Sequence, residues 1–290
     1  MNQVGSKDDS AGLLSGNHQY IGNPEYRAVL DSMQSTGVCV FCAGELARSD
    51  SRIKLTKQVA GWGVFPNTWP YKGNDGDTVL RHWVLTGPQH VAGLEGLAGR
   101  DFIALLRDVM RWVLVSGRAP HGIFGMRYGS DTALSGVTLA HLHAHAIMPK
   151  PGTQRDLALQ HWPVEFVIKK GEWTIGSVRE SWRVKGKDGR PAAKHWLLRA
   201  PSHVTDFLKL DPYSAATFVN EVVPWVINDG GAASGGLVIP YTSRLKSGRS
   251  RPLLAHVVVP HLDPGAPGKA LHVNFPHAIR GGQTVYFPVG

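Results

Sequence analysis

A repeat constrains this chain more than any other feature. Trp69-Pro-Tyr71-Lys72-Gly73-Asn74-Asp75-Gly76 returns as Trp182-Arg183-Val184-Lys185-Gly186-Lys187-Asp188-Gly189, an offset of 113 positions (69 to 182). The same offset carries His82-Trp83-Val84-Leu85 onto His195-Trp196-Leu197-Leu198, and Pro88-Gln89-His90-Val91 onto Pro201-Ser202-His203-Val204. A shared offset across gapless stretches rich in Trp, His and Pro marks an internal duplication. The chain then divides into a polar tail over 1–20 and two halves, 21–150 and 151–290.

Both halves follow one local pattern. Trp83-Val84-Leu85-Thr86 is a β-prone run closed by Pro88. Phe102, Ile103, Leu106, Val109, Met110 and Val113 recur at spacings of three and four, the mark of an amphipathic helix. The counterpart helix opens at Asp211-Pro212, an N-cap with Pro at the first helical position. Pro224 falls late in it and is expected to kink or end it. A strand is expected over Val137–Ile147, with its counterpart over Leu253–Val259. The fold class is α+β: a mainly antiparallel sheet with helices packed on it, in two pseudo-two-fold halves.

Lys plus Arg number 31 and Asp plus Glu 22, a net charge of +9 that favours anionic partners: nucleotides, sugar phosphates or, less favoured, nucleic acid. No run of 18 apolar residues is present, so no membrane-spanning helix is expected. The first twenty residues lack a basic stretch followed by an apolar one, against a secretory signal. With Cys39 and Cys42 as the whole complement of cysteines, a reducing, cytoplasmic setting is expected.

The sharpest local signal is Leu139-Ala140-His141-Leu142-His143-Ala144-His145-Ala146-Ile147. In a strand the three histidines share one face, about 6.6 Å apart, while Leu142, Ala144 and Ala146 anchor the other. Imidazole serves as nucleophile, proton carrier or metal ligand near neutral pH, so the row is read as chemistry. A surface strand with scattered histidines and a three-histidine metal site are the alternatives. Cys39-Val-Phe-Cys42 admits zinc ligands, a redox pair or core cysteines.

These segments together resemble the histidine-triad superfamily of nucleotide hydrolases and transferases. His141-Leu-His143-Ala-His145 is similar to its His-x-His-x-His motif, and Cys39-Val-Phe-Cys42 to its N-terminal cysteine pair. Asn67-Thr-Trp69-Pro70-Tyr71 is similar to its Asn-x-x-Pro-Tyr segment, and Ser135-Gly136-Val137-Thr138 to its phosphate-contacting turn. One intact triad with a degenerate second copy resembles the galactose-1-phosphate uridylyltransferase branch and the diadenosine polyphosphate phosphorylases. The uridylyltransferases carry Gln where this chain has His145, as the hydrolases do.

The resemblance implies a duplicated histidine-triad fold, catalytic over 21–150 and degenerate over 151–290, working as monomer or homodimer. It implies that His143 forms a nucleotidyl-histidine intermediate, assisted by His145 and His141. Asn67, Trp69, Tyr71, Gly136 and Thr138 would bind the substrate. Cys39, Cys42, His90 and His141 would hold a structural zinc. The activity implied is a nucleotidyltransferase, moving a nucleoside monophosphate from a nucleotide sugar or polyphosphate to a phosphorylated acceptor. A hydrolase or phosphorylase with the same intermediate is the alternative, and a non-catalytic nucleotide- or nucleic-acid-binding protein a second. In the second half His256 stands alone, and Lys246, Arg249, Arg251, His272 and His277 are further cationic candidates.

Overall fold

The computed structural model describes residues 24–48, 51, 53–70, 79–129, 131, 134, 141–148, 162–186, 188–241, 252–262, 273–278 and 284–289. The tail, Tyr71, Gly136, Thr138, the division at 150/151, Lys246, Arg249, Arg251 and His272 lie outside the described residues, and His277 is described by its backbone alone.

The first half contributes β1 (Lys57–Val59), β2 (Trp62–Pro66), β3 (Arg81–Thr86), β4 (Gly122–Tyr128) and β5 (His143–Met148). The second contributes β6 (Val164–Lys170), β7 (Trp173–Val178), β8 (Lys194–Arg199), β9 (Gly235–Tyr241) and β10 (Leu254–Val259). They form one ten-stranded sheet in the order β1-β2-β3-β5-β4-β9-β10-β8-β7-β6, antiparallel throughout. A separate hairpin joins β11 (Val273–Ala278) to β12 (Thr284–Val289).

Strand order in the second half mirrors that in the first. At the centre, Gly122 faces Tyr241, Tyr128 faces Gly235 and Gly125 faces Val238. Gly122, Gly125 and Tyr128 each map 113 positions on, to Gly235, Val238 and Tyr241, so a local two-fold passes between Gly125 and Val238. Gly122 and Gly235 fill the same role on either side of it. A Cβ at the first would strike the Ile147 carbonyl, and at the second the Val258 carbonyl.

Two N-terminal helices, α1 (Pro24–Thr36) and α2 (Ala43–Leu46), lie over one face of the sheet. Leu30, Met33, Phe41 and Leu46 pack there against Phe65 and Val84. The opposite face carries α3 (Gly99–Ala104), a π turn (Leu105–Val109) and α4 (Met110–Val115), then α5 (Pro212–Thr217), a second π turn (Phe218–Val222) and α6 (Val223–Asn228). Phe102, Leu106, Val109, Met110 and Val113 are all buried there against Leu85, Ala144 and Ala146, as their spacing requires. Asp211 caps its helix by accepting the Ser214 N–H at 2.9 Å.

Pro224 neither ends nor breaks its helix, which runs on to Asn228. A wide turn precedes it, where a missing N–H and the ring are tolerated. The first half makes the same π turn with Arg111 in the place of Pro224, so the turn belongs to the shared packing rather than to the proline. The repeat extends to details: Trp83 and Trp196 donate their indole N–H to the Gly117 and Gly230 carbonyls, each at 3.2 Å.

Candidate functional site

Pairing across the sheet places one row of residues on the face opposite α3–α6. From β3 to β8 it runs Val84, His145, Gly125, Val238, His256, Leu197. Its two ends are related by the local two-fold. His143 stands next to His145 on the same face, beyond Ala144.

The expected strand over Val137–Ile147 lies outside the described residues at 137–140 and needs correcting at His141 and Leu142. Among the described residues β5 starts at His143, and His141 precedes it. There the chain is held by Gly87 N–H donating to the Leu142 carbonyl at 3.2 Å, and by Leu142 N–H donating to Val91. His141 thus leaves the sheet register and turns its ring to the cysteines.

Cys39, Cys42, His90 and His141 come together with their ligand atoms all within 4.8 Å of one another. Cys39 Sγ lies 3.5 Å from His141 Nδ1, Cys42 Sγ 3.3 Å from His90 Nδ1 and 3.7 Å from His141 Nδ1. A tetrahedral zinc with bonds of about 2.3 Å to sulfur and 2.05 Å to nitrogen would separate S and N by about 3.6 Å. The residues therefore fit such an ion. His141 Nε2 donates to the Gly87 carbonyl at 3.0 Å, which leaves Nδ1 with the lone pair a metal needs. Burial pushes the Cys39 thiol up to about 12, and a buried thiolate calls for a cation.

The cysteine knuckle also reaches the triad. Phe41, between its two cysteines, lies with ring centroid 5.2 Å from that of His143 and 6.2 Å from that of His141. His143 Nδ1 donates to the His141 carbonyl at 2.8 Å, which fixes its tautomer and puts the lone pair on Nε2. Burial holds its pKa down to about 4 despite that carbonyl, and the Arg127 charge adds to the effect. His143 and His145 are each half-buried.

His145 belongs to a directed chain of hydrogen bonds whose middle member, His82, was not among the expected site residues. Asn67 Oδ1 accepts the Trp69 N–H at 2.9 Å, so the Asn67 amide group faces His82, 3.3 Å from its ring nitrogens. His82 Nε2 lies 2.9 Å from His145 Nδ1. With Asn67 donating to His82 Nδ1, His82 Nε2–H donates to His145, and His145 presents Nε2–H outward. Burial, then the neighbouring His143, holds His82 down to about 3. The signal was present in the sequence as half of the repeated His-Trp pair.

Trp69 is half-buried and leans on α1, its ring 4.9 Å from Tyr26 and its indole N–H donating to Glu25 Oε2 at 3.3 Å. Its repeat, Trp182, is 47% exposed, so neither tryptophan is core.

The second half retains the paired histidines and closes the ground around them. His195 Nε2 lies 2.9 Å from His256 Nδ1, as His82 does from His145. Trp162 covers both rings at 5.0 and 5.2 Å. Leu254 stands where the first half has His143 and is buried with Trp162, Val238 and Leu197 in one apolar cluster.

No protein-family model matches this chain, and no curated protein does. Among solved structures it is similar to a uridylyltransferase mutant, 13% identical over 77% of this chain and 81% of that one, with a TM-score of 0.51. It is also similar to an ADP-glucose phosphorylase from Arabidopsis thaliana with bound ADP-glucose, 13% identical over 76% and 80%, TM-score 0.48. A GalT-like protein from the same plant is 12% identical over 78% and 84%, TM-score 0.48. The α+β fold of the uridylyltransferase is the fold of this chain.

Proposed function

We propose that this chain, built on the uridylyltransferase fold, is a nucleotidyltransferase that works through His143. One observation carries the proposal: His143 Nδ1–H is tied to the His141 carbonyl, which turns the ring's lone pair, on Nε2, into a nucleophile at a half-open position. Nε2 attacks the α-phosphorus of a nucleotide, forming an N–P bond as the P–O bond to the leaving group breaks. The leaving oxygen departs with the electron pair, accepting a hydrogen bond from His145 Nε2–H, which stays on the ring, and takes its proton from solvent. In the second step an oxygen of a phosphorylated acceptor attacks phosphorus, the N–P bond breaks with its electron pair returning to His143 Nε2, and any proton the acceptor carried passes to solvent. His145 in place of a glutamine supports a second reading, in which water or phosphate is the acceptor.

A zinc held by Cys39, Cys42, His90 and His141 would be structural in this scheme, fastening the N-terminal knuckle to the triad. Asn67 would act through His82 and His145, and Trp69, Tyr71, Gly136 and Thr138 would complete the nucleotide pocket. His141 would serve by its carbonyl and as a ligand. The duplicated halves, divided near 150, would let one chain supply both sides of the sheet, with 151–290 as scaffold, in the cytoplasm.

Rapid-quench intact-mass spectrometry with nucleotide sugars, nucleoside triphosphates and dinucleoside polyphosphates tests the proposal. A mass gain of one nucleoside monophosphate, absent in His143→Ala, is expected. No adduct and no product with any donor would leave a binding protein as the better reading.

A further inference from the structure

The two halves serve as controls for each other. Both retain the bonded histidine pair, His82–His145 and His195–His256. A feature retained where Leu254 has replaced the nucleophile is one the sheet itself uses. What the second half has lost along with the nucleophile points to the chemistry.

Two such losses lie on β4. Gly125 leaves the sheet surface bare beside His145, and its two-fold mate Val238 fills that place with a buried side chain. Two residues further, on the same face, stands Arg127, and its mate 113 positions on is Pro240. Met126, between Gly125 and Arg127, packs into the opposite core with Ala144, so Arg127 must point to the histidine side.

We propose that Arg127 is the phosphate-holding residue of this site: an anion subsite on β4 beside His143, which the second half has given up. The inference rests on the nucleotidyl reading above and names what holds the phosphate. The guanidinium charge reaches both His143 and His145. Arg127 is half-buried, which limits solvent screening while leaving the group within reach of a ligand. Its planar fork matches two phosphate oxygens at once, which suits a phosphorus that must be presented to His143 Nε2.

Titration calorimetry on the full-length, zinc-loaded protein tests this, with four nucleoside 5′-monophosphates, the matching nucleosides and inorganic pyrophosphate as probes. Wild type is expected to bind at least one monophosphate about tenfold to a hundredfold more tightly than its nucleoside, the range of one charged hydrogen-bonding partner. Arg127→Met and Arg127→Gln should each remove that preference and leave nucleoside affinity unchanged, with melting temperature reporting the fold. A preference that survives either folded variant overturns the subsite and leaves the proposed function standing. Arg127-dependent binding of pyrophosphate with no nucleotide bound upholds the subsite and sinks the nucleotide reading. If wild type takes neither pyrophosphate nor any monophosphate, the subsite is wrong.

Discussion

Replacing His195 and His256 together by leucine isolates the cost of holding a histidine pair uncharged in the closed half. Both side chains are buried, at 1% and 0% exposure. Burial, then the charges of His256 and Arg183, holds His195 well below its ordinary value, and burial holds His256 down to about 3. In the unfolded chain each titrates near 6.5, so between pH 6.5 and the folded value the unfolded state binds the extra proton. Stability is therefore complete above pH 6.5 and is lost as pH falls towards 3. From pH 6.5 to pH 5 the loss for His256 is 1.5 units at about 1.36 kcal/mol each, or ~2 kcal/mol, and His195 adds to it in the same direction. Leucine for both partners removes the donor and the acceptor of their shared hydrogen bond together, and melting temperature checks that the double variant folds. Urea unfolding of the two proteins at pH 7 and pH 5 measures the difference. His82, His145 and the metal ligands are common to both proteins and cancel. Wild type should lose at least about 2 kcal/mol more than the variant over that range. An equal pH dependence would show that the pair is not held neutral and would refute the reasoning.

Three further outcomes are expected. Cys39→Ser/Cys42→Ser should abolish about one equivalent of bound zinc, read by metal analysis, and lower the melting temperature; an unchanged metal content would exclude these ligands. Gly125→Val, which copies the second half into the first, should abolish the nucleotide adduct seen by intact mass while the fold survives, and full labelling would show that the bare strip is not substrate space. Trp162→Ala should cost about 3–5 kcal/mol in urea unfolding by opening a cavity over His195 and His256, without making a histidine that takes a nucleotide adduct, since Leu254 stands where the first half has His143.

Much of the fold was legible along the chain because its signals are local or periodic. Phe102 to Val113 show their buried stripe by spacing alone, and Asp211-Pro212 opens a helix by the chemistry of a cap. Cys39, Cys42, His90 and His141 were picked out by resemblance and meet in space. Three things were less legible. His141 drops out of the strand because loop hydrogen bonds to Gly87 and Val91 and the approach of Cys39 outweigh β pairing there. Pro224 sits in a helix that continues, because a π turn shared by both halves accommodates it. His82 passed as part of a strand, since nothing in its neighbours announces a partner 63 positions away.

From residue order came the repeat, the alternation that puts His143 and His145 opposite Ala144 and Ala146, and the types of side chain available for chemistry. Propensity, periodicity and side-chain chemistry act over a few residues, and a one-dimensional string carries them intact. Which strip beside a histidine pair is bare and which is filled was decided by strand register. Register sets Gly125 beside His145 and Val238 beside His256, and folding sets Trp162 over the second pair. Register and packing arise from pairing strands far apart in the chain, so that choice exists only once the sheet has closed around its two-fold.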